Sequence, residues 1–438
     1  MGYSNDGRNA IRHRLPALIA LAALLELCFL ALLRAPGASS DSFPAWMIAA
    51  GLFYLIAITL LPRRPAPAAA AEDAAAADGP RRELRFILLA AVVFRLTLLP
   101  LSPRLSHEML RYHWDGKIQH AGFNPYQYPP SSALFTPIRS AADALAPAPD
   151  LPAFHPPLAE LLFHWNFDLG GIRRQKVLYT ILDLLLLGLL VRVLRARGRP
   201  PAWVAVYAWS PLAVVEIAGQ GHMESAAILL LLLALHWTGR RVRLSGAAAA
   251  AAVLTQWFAW VLAPVVLAGS GRRWWRALGW GVGLGVVITL PYLWMNKHFA
   301  PGVILANALQ HAREAGQFNA SVFAVAASWF GPHAALALAV AVVGAVIATC
   351  ALRRLDPLRS GFFVLGALLL VMPAVEPWYV LWLLPLLAIW PEAPWLYFAA
   401  AVPLAYALPA HPWLLYAEYL PLFGLLIYQG VRPFRRSN

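Results

Sequence analysis

The sequence predicts an all-α polytopic membrane protein, because it is too apolar for a soluble globular chain and its apolar runs have the length of bilayer spans. Hydrophobic residues make up 60% of its 438 positions, and the mean hydropathy is +0.61. Apolar runs of roughly 15–23 residues recur along the whole chain. The formal net charge of +14 lies in short Arg clusters between these runs. Such clusters orient membrane proteins, which argues against a nucleic-acid partner.

Twelve apolar runs are candidate membrane spans. They cover residues 15–34, 45–62, 84–101, 175–195, 202–217, 225–238, 277–294, 334–352, 359–374, 378–391, 395–409 and 413–430. Several are shorter than the about 20 residues of an untilted crossing helix, so their boundaries are soft. The first run reads as a retained helix rather than a cleaved signal peptide. The two cysteines, Cys28 and Cys350, lie inside apolar runs, which argues against a disulfide framework or a thiolate metal site.

The run 246–268 is interrupted by Thr255 and Gln256 and can be read in two ways. As a single crossing, it would place the following "GRRWWR" outside the cell and split the last three basic clusters between the two sides. As two half-helices that meet at Thr255–Gln256, it keeps every basic cluster on the cytoplasmic side, which the positive-inside rule favours. The sequence therefore predicts a re-entrant hairpin whose tip borders a cavity. The low-complexity Ala/Pro segment 63–83 is predicted to be a cytoplasmic linker.

Polar residues concentrate in the large loop 102–174, in "EMLRYHWDGKIQHAGFNPYQYPP" from Glu108 to Pro130. A helix with its N-cap at Ser106 and its end near Gly122 would place one polar stripe along the loop. The stripe contains Glu108, Arg111, Tyr112, Asp115 and Gln119. Its two acids would lie about 10 Å apart along the axis, too far to share one proton. The alternative is an amphipathic helix on the membrane surface with a merely solvated stripe.

Three further sites carry ionisable residues. Arg173, Arg174 and Lys176 open a span on the outer side, against the positive-inside pattern, which indicates a phosphate ligand or an anionic lipid headgroup. Asp183 and Glu216 lie within apolar runs, where a structural role is favoured. His222 and Glu224 could bind a metal with His155 or His107, but their spacing matches no metal motif, so no metal site is predicted.

Several motifs in order resemble bacterial polyprenyl-phosphate-mannose-dependent mannosyltransferases, which belong to the GT-C class. They are "RYHWDGKIQHAGFNPYQYPP", "HPPLAE", "YAWSPLAVVEIAGQGHME", "VLTQWFAWVLAP", "GQFNASVF" and "EPWYVLWLLP". The similarity covers about residues 84–430. The resemblance thus divides the chain into a two-helix N-terminal extension (1–62), the linker (63–83), a GT-C-like domain (84–430) and a basic cytoplasmic tail (431–438). For the fold it implies about 12 transmembrane helices, a re-entrant hairpin and a large extracytoplasmic loop with juxtamembrane helices.

By the same resemblance, Glu108 is the general base. The expected substrate-binding residues are Arg111, Tyr112, Trp114, Asp115, Asn124, Tyr126, His155, His222, Glu224, Gln256, Asn319, Glu376, Trp378 and Tyr379. Arg173, Arg174 and Lys176 are expected to bind phosphate. The chain departs from the family pattern at Gln256, where many relatives have Lys, and at Glu224, Glu376 and His155. Loss of the Lys removes one candidate phosphate ligand.

The implied function is an inverting glycosyltransferase of the bacterial cytoplasmic membrane, active on its extracytoplasmic face. It would move a hexose, with mannose expected, from a polyprenyl phosphate donor to a glycan or glycolipid. The leaving phosphate, whose second pKa is about 6, needs nearby positive charge but no obligatory metal, so no cofactor besides the lipid-linked donor is expected. One carboxylate suffices as base. Tyr112, Trp114, Tyr126 and Trp378 suit sugar stacking, although such residues also crowd membrane interfaces. The alternative is a transporter or lipid-binding protein without transferase activity.

Overall fold

The structure, a computed structural model, describes residues 3–34, 42–62, 74–168, 171–295, 300 and 302–431. In these residues the fold is all-α, and the one β-type pairing they contain is an isolated parallel bridge between Phe318 and Ala374. The α-helices are α1 Tyr3–Arg34, α2 Ser42–Thr59, α3 Ala74–Leu98, α4 Glu108–His120, α5 Pro157–Asp168, α6 Ile172–Ala196, α7 Ala205–Ala208, α8 Pro211–Ala213, α9 Glu224–Trp237, α10 Val242–Thr255, α11 Ala263–Gly269, α12 Trp274–Trp294, α13 Gly302–Glu314, α14 Val322–Phe330, α15 Pro332–Leu352, α16 Pro357–Val371, α17 Pro377–Val380, α18 Leu384–Ile389, α19 Ala393–Ala401 and α20 Leu414–Val431. A π-helix spans Val214–Gln220, and 3₁₀ turns span Ala133–Phe135, Asp143–Leu145, Pro201–Val204, Trp257–Leu262, Gly271–Arg273 and Val402–Ala407. Much of the predicted linker (63–83) and nearly all of the predicted tail (431–438) lie outside the described residues.

The apolar helices make this an integral membrane protein. Among the described residues, six helices are long and apolar enough to cross a bilayer. They are Arg14–Arg34, Ser42–Thr59, Ile172–Ala196, Gly271–Trp294, Pro332–Leu352 and Leu414–Val431. A bent pair, Pro201–Ala208 and Pro211–Gln220, makes a seventh if it counts as one span. Each of the twelve predicted runs overlaps a helix, but the remaining ones are short or interrupted by polar residues. Twelve crossings therefore stay a prediction.

Two breaks interrupt apolar runs. The bent pair turns by 56° between its halves, where Pro211 follows Ser210. A residue before proline avoids helical geometry, which accounts for the break. The second break lies at Gln256, whose backbone is extended (φ −149°, ψ 125°) between α10 and a 3₁₀ turn. The predicted interruption at Thr255–Gln256 is thus confirmed, while the re-entrant course of this segment stays a prediction.

The chain forms two compact units. The first contains residues 1–101, 187–219 and 376–438, and the second contains residues 102–186 and 220–375. Within the first, helices α1 and α2 pack against each other and the hydroxyl of Tyr54 on α2 donates to the Val206 carbonyl at 2.8 Å. The buried Glu216 accepts a hydrogen bond from Tyr406 at 2.9 Å, in keeping with its expected structural role.

In the second unit, the polar loop helix α4 packs along α5. Their backbones approach most closely at Gly116, because a Cβ there would lie 2.4 Å from the Phe163 carbonyl oxygen. Similarly, a Cβ at Gly246 on α10 would lie 2.1 Å from the Ala277 oxygen on α12. Small residues at these crossings are what allow the helices to touch.

Gly116→Ala is expected to destabilise the protein by about 2 kcal/mol, since the added methyl group must push α4 away from α5. The measurement is the thermal unfolding midpoint of the purified protein in detergent. Gly188→Ala is the matched control, because Gly188 is also helical and a Cβ there would meet nothing within 4 Å. The control should be neutral or slightly stabilising. Equal midpoints for the two variants would contradict the close approach of α4 and α5.

Candidate functional site

The loop helix α4 begins and ends close to where the sequence predicts. Its N-cap is His107 rather than Ser106, one residue later than expected. The Ser106 hydroxyl nevertheless accepts the Glu108 backbone N–H at 3.2 Å. Beyond the helix end, Gly122 has φ +85°, the left-handed conformation that favours glycine at a helix stop. The polar stripe is therefore carried on a regular helix.

Arg111 and Asp115 form a buried ion pair on this helix. The Arg111 Nε lies 3.0 and 2.9 Å from the two Asp115 carboxylate oxygens, and neither residue has any exposed surface. The other guanidinium nitrogens donate to the Ala148 carbonyl at 2.9 Å and to the Leu151 carbonyl at 3.0 Å. The guanidinium is thus engaged by its own chain, which ties α4 to the segment around residue 150.

A third carboxyl group, that of Glu160 on α5, adjoins the ion pair. It hydrogen-bonds the Asp115 carboxylate, and it accepts from Gln119 Nε2 at 2.9 Å. Burial, together with the nearby Asp115 charge, raises the pKa of Glu160 well above its ordinary value. Burial also raises the pKa of Asp115, against the opposing effect of Arg111. Their mutual hydrogen bond raises the pKa of Glu160 and lowers that of Asp115, so Glu160 is the donor of this pair.

Glu108 differs from these two acids because it keeps contact with solvent. Its side chain is 19% exposed, whereas those of Asp115 and Glu160 are fully buried. Burial raises the pKa of Glu108 to about 7; Arg111 lowers it and Asp115 adds to the rise. The His155 Nε2 lies 3.8 Å from a Glu108 oxygen. Burial first, and then Arg111, holds the pKa of His155 well below its ordinary value, so its imidazole is neutral.

The segment around His155 is fixed by hydrogen bonds to backbone carbonyls. The Tyr126 hydroxyl donates to the His155 carbonyl at 2.8 Å, and Asn124 Nδ2 donates to the Tyr292 carbonyl at 3.0 Å. Asn307 on α13 donates to the Ala153 carbonyl at 3.1 Å. Asn124 and Tyr126 therefore hold the loop that presents His155 to Glu108.

A second polar group lies around the turn before α9. Gln256 donates to Glu224 at 3.1 Å, and the other Glu224 oxygen lies 3.7 Å from His222 Nδ1. Lys176 is buried and packs over Gly221, where a Cβ would lie 2.9 Å from its Cγ and 3.0 Å from the Met109 sulfur. The turn thus covers the Lys176 stem and the helix that begins with Glu108. Glu224 itself lies within electrostatic reach of Glu108.

Several other predicted site residues belong to neither of these two polar groups. Arg173 and Arg174 are exposed whereas Lys176 is buried. The three residues of the predicted basic cluster therefore lie on different faces of helix α6. Asn319, with φ +47°, donates to the Val375 carbonyl at 3.5 Å. Glu376, Trp378 and Tyr379 belong to the first compact unit, in which the Trp378 and Tyr379 rings lie 6.0 Å apart.

The predicted sugar stacking is not supported for three of the aromatic residues. Trp114 has no exposed surface and packs edge-on against Phe135 at 5.5 Å. Tyr112 stacks on Phe163 at 4.6 Å, and Tyr126 is fully buried. Their rings are core residues because helix packing, rather than residue type, decides which aromatic faces remain open.

One group of side chains has the residue types of a metal site. Ligand atoms of Asp115, His155 and Glu160 lie within 4.8 Å of one another. Both oxygens of Asp115, however, already accept from Arg111, and Glu160 is engaged by Gln119. The two carboxyl groups thus already have partners within the protein, and we assign no metal to this group. The predicted absence of a metal stays a prediction.

Sequence reasoning missed the role of Glu160. The residue occurs in the motif "HPPLAE", and an acid inside the apolar helix "PLAELLFHW" was the available signal. Gln119 was placed on the polar stripe but given no partner. In the structure it bridges Glu160 and the hydroxyl of Tyr292, which donates to Gln119 Oε1 at 3.1 Å.

The sequence matches the model of a known protein family. The model of glycosyltransferase family 87 matches residues 154–373, half of the chain. The chain belongs to glycosyltransferase family 87. No curated protein and no solved structure matches it. This family 87 protein is therefore a membrane glycosyltransferase, as expected in outline. The match includes His155, Lys176 and Glu224 but begins after Glu108 and the ion pair of α4, so it does not assign the base.

Proposed function

We propose that this family 87 glycosyltransferase moves a hexose, with mannose expected, from a polyprenyl phosphate to a glycan or glycolipid acceptor. Transfer proceeds on the extracytoplasmic face of the bacterial cytoplasmic membrane, in a GT-C-like fold of about twelve spans with a re-entrant hairpin. The observation that carries the proposal is the difference between Glu108 and its neighbours. Asp115 is paired with Arg111 and Glu160 is hydrogen-bonded by Gln119 inside the protein, whereas Glu108 keeps solvent access and a pKa of about 7.

A general base near neutral pH fits a single displacement. The acceptor hydroxyl oxygen attacks the anomeric carbon while its proton passes to the Glu108 carboxylate. The bond from that carbon to the phosphate oxygen breaks, the polyprenyl phosphate leaves with the electron pair, and the configuration inverts. The His155 ring borders the Glu108 carboxyl group, with Nε2 at 3.8 Å from its nearer oxygen. One base suffices, so Asp115 is assigned to support through Arg111.

Lys176 is the residue proposed to bind the departing phosphate. Arg111 is engaged by Asp115 and by backbone carbonyls, and Arg173 and Arg174 point to the surface. Lys176 adjoins the helix of Glu108 through Met109 and Gly221. A buried ammonium near the leaving group would stabilise negative charge as it develops.

Lys176→Ala is expected to raise the donor concentration needed for half-maximal transfer by roughly tenfold or more, because a charged hydrogen bond to phosphate is lost. Initial rates at varied donor concentration measure this. Arg174→Ala, which removes an exposed charge two residues away, is the matched control and should change the donor dependence little. The same donor dependence for Lys176→Ala and the wild type would assign this basic stretch to lipid headgroups instead.

The proposal as a whole is tested with the purified full-length protein. It is incubated with polyprenyl phosphate carrying radiolabelled mannose and with candidate glycan acceptors. Transfer of label to an acceptor from this donor, and not from a nucleotide-linked mannose, is the expected result. Label transferred only from the nucleotide sugar would overturn the donor class. Movement of the lipid-linked sugar across proteoliposomes without any transfer would favour the transporter alternative.

A further inference from the structure

A groove lies between helices α10 and α12, and none of the polar site residues on the loop helix line it. It encloses about 700 Å³. Its walls combine two arginines, two tryptophans and small or aliphatic residues, among them Arg243, Arg276, Trp275, Trp280, Gly283 and Val287. Such a lining, with cations at one end and an apolar floor beyond, is amphipathic.

The groove exists because α10 and α12 touch at a glycine and α12 has two glycines along the groove. Gly246 brings α10 against the backbone of α12 at Ala277. Gly279 and Gly283 follow one turn apart on the groove side, and a Cβ at either would meet nothing within 4 Å. The space is therefore open along the α12 backbone for about one and a half turns.

Two arginines stand at one end of the groove, each over an indole ring. The Arg276 guanidinium lies 5.0 Å from the Trp275 ring centre, and that of Arg243 lies 5.9 Å from the Trp280 ring centre. Both arginines are exposed. The whole segment 225–313 contains no Asp or Glu, so no acid in it balances these charges. The cations thus favour an anion from outside the segment.

The groove opens on a largely uncovered face of a candidate membrane span. Its floor belongs to the candidate span Gly271–Trp294, of which only 11% of the apolar window is buried within the protein. Arginine and tryptophan at the end of a span lie at the depth of phospholipid headgroups. The abundant anions that carry an apolar body at this depth are anionic phospholipids.

We propose that the groove between α10 and α12 binds one anionic phospholipid, with its phosphate between Arg243 and Arg276 and an acyl chain along Gly279 and Gly283. The site does not depend on the proposed sugar donor or on Glu108. It is a specific lipid site, distinct from general attraction of the basic loops to an anionic surface.

The first test removes the two cations. Full-length protein in detergent is titrated with phosphatidylglycerol or with phosphatidylcholine of the same acyl chains, and bound lipid is counted by native mass spectrometry. Wild type should retain one phosphatidylglycerol in preference to phosphatidylcholine. Arg243→Gln with Arg276→Gln should weaken that binding by about tenfold or more. Arg272→Gln with Arg273→Gln, in the same basic loop but outside the groove lining, is the matched control and should retain it.

The second test keeps every charge and fills the groove. Gly283→Leu places a side chain in the open space and should also abolish preferential retention. Gly285→Leu is its control, since Gly285 is equally open but does not line the groove. Equal loss in both arginine pairs would show general electrostatic attraction and overturn the site. Full retention in Arg243→Gln with Arg276→Gln, or in Gly283→Leu, would overturn it as well.

Discussion

Glu108→Gln is expected to reduce sugar transfer by roughly 10²–10⁴-fold while the protein stays folded and inserted in the membrane. The amide keeps the size and hydrogen-bonding capacity of the side chain but cannot take a proton from the acceptor hydroxyl. Its folding cost should be small, because the Glu108 side chain is 19% exposed and forms only a long 3.8 Å contact with His155. The measurement is the initial rate of transfer with purified variant at saturating donor.

Asp150→Asn is the matched control for this variant. Asp150 is an exposed acid of the same loop and lies outside the network of α4, so its amide should leave the rate unchanged. Both variants must show wild-type elution from a size-exclusion column and a wild-type thermal midpoint. Undiminished turnover by Glu108→Gln would remove this residue from the role of base and leave the lipid-linked donor reaction without one.

The pH dependence of transfer follows from the same group. The pKa of Glu108 is raised to about 7, chiefly by burial, and a base must be ionised to accept a proton. The rate should therefore rise with pH through about 7 and level off above it. Arg111, Asp115, His155 and Glu224 are the charged or titratable groups that act on or lie near Glu108, and burial holds the pKa of His155 well below its ordinary value. A flat profile between pH 5.5 and pH 8.5 would contradict the assignment.

The sequence could place the loop helix because its signals are local. The spacing of Arg111 and Asp115 by four residues predicts a pair on one face, and Gly122 predicts the stop. Their burial could not be predicted, since it depends on α5, which lies beyond a long irregular loop. The contact between Gln119 and Glu160 joins residues 41 positions apart, and no local rule selects that partner. Only tertiary packing brings the third carboxyl group, that of Glu160, next to the Arg111–Asp115 pair.

Hydropathy located the apolar segments but could not count the crossings. Helices α9 and α16 have only 14 and 15 residues, and the segment from Pro201 to Gln220 bends within its apolar run. An apolar run indicates that the segment has apolar surroundings, which can be either lipid or other helices. Only the helix lengths and bends separate the two cases, and those depend on prolines and packing that a window average does not resolve.

The aromatic residues show the same limit at the site. Trp114 and Tyr112 lie in a polar motif, which suggested sugar contact, yet both are inside the protein. Residue type predicts that a ring favours an apolar face, and the sequence cannot tell whether a sugar or Phe135 supplies that face.

Arg111→Met is expected to destabilise the protein by about 3–5 kcal/mol, the largest stability effect among the substitutions considered. The variant leaves Asp115 and Glu160 buried together without a cation, and the Ala148 and Leu151 carbonyls lose their donors. The thermal unfolding midpoint in detergent measures the loss. Lys117→Met is the matched control on the same helix. Its ion pair with Asp143, at 2.7 Å, is partly exposed and should contribute less than about 1 kcal/mol.

The companion variant Asp115→Leu separates a charge effect from simple loss of packing. In Arg111→Met, Asp115 can take up a proton, and a raised carboxyl pKa means stability that is present at low pH and lost as pH rises. The midpoint of Arg111→Met should therefore recover towards wild type as the pH falls from 8 to 5.5. Asp115→Leu instead leaves a guanidinium that cannot be deprotonated, so its loss of stability should not shrink with falling pH.

The double variant Arg111→Met with Asp115→Leu should be less destabilised than the sum of the two single variants, by about 0.5–3 kcal/mol. Additive losses with no pH dependence would mean that the buried pair acts only through its volume.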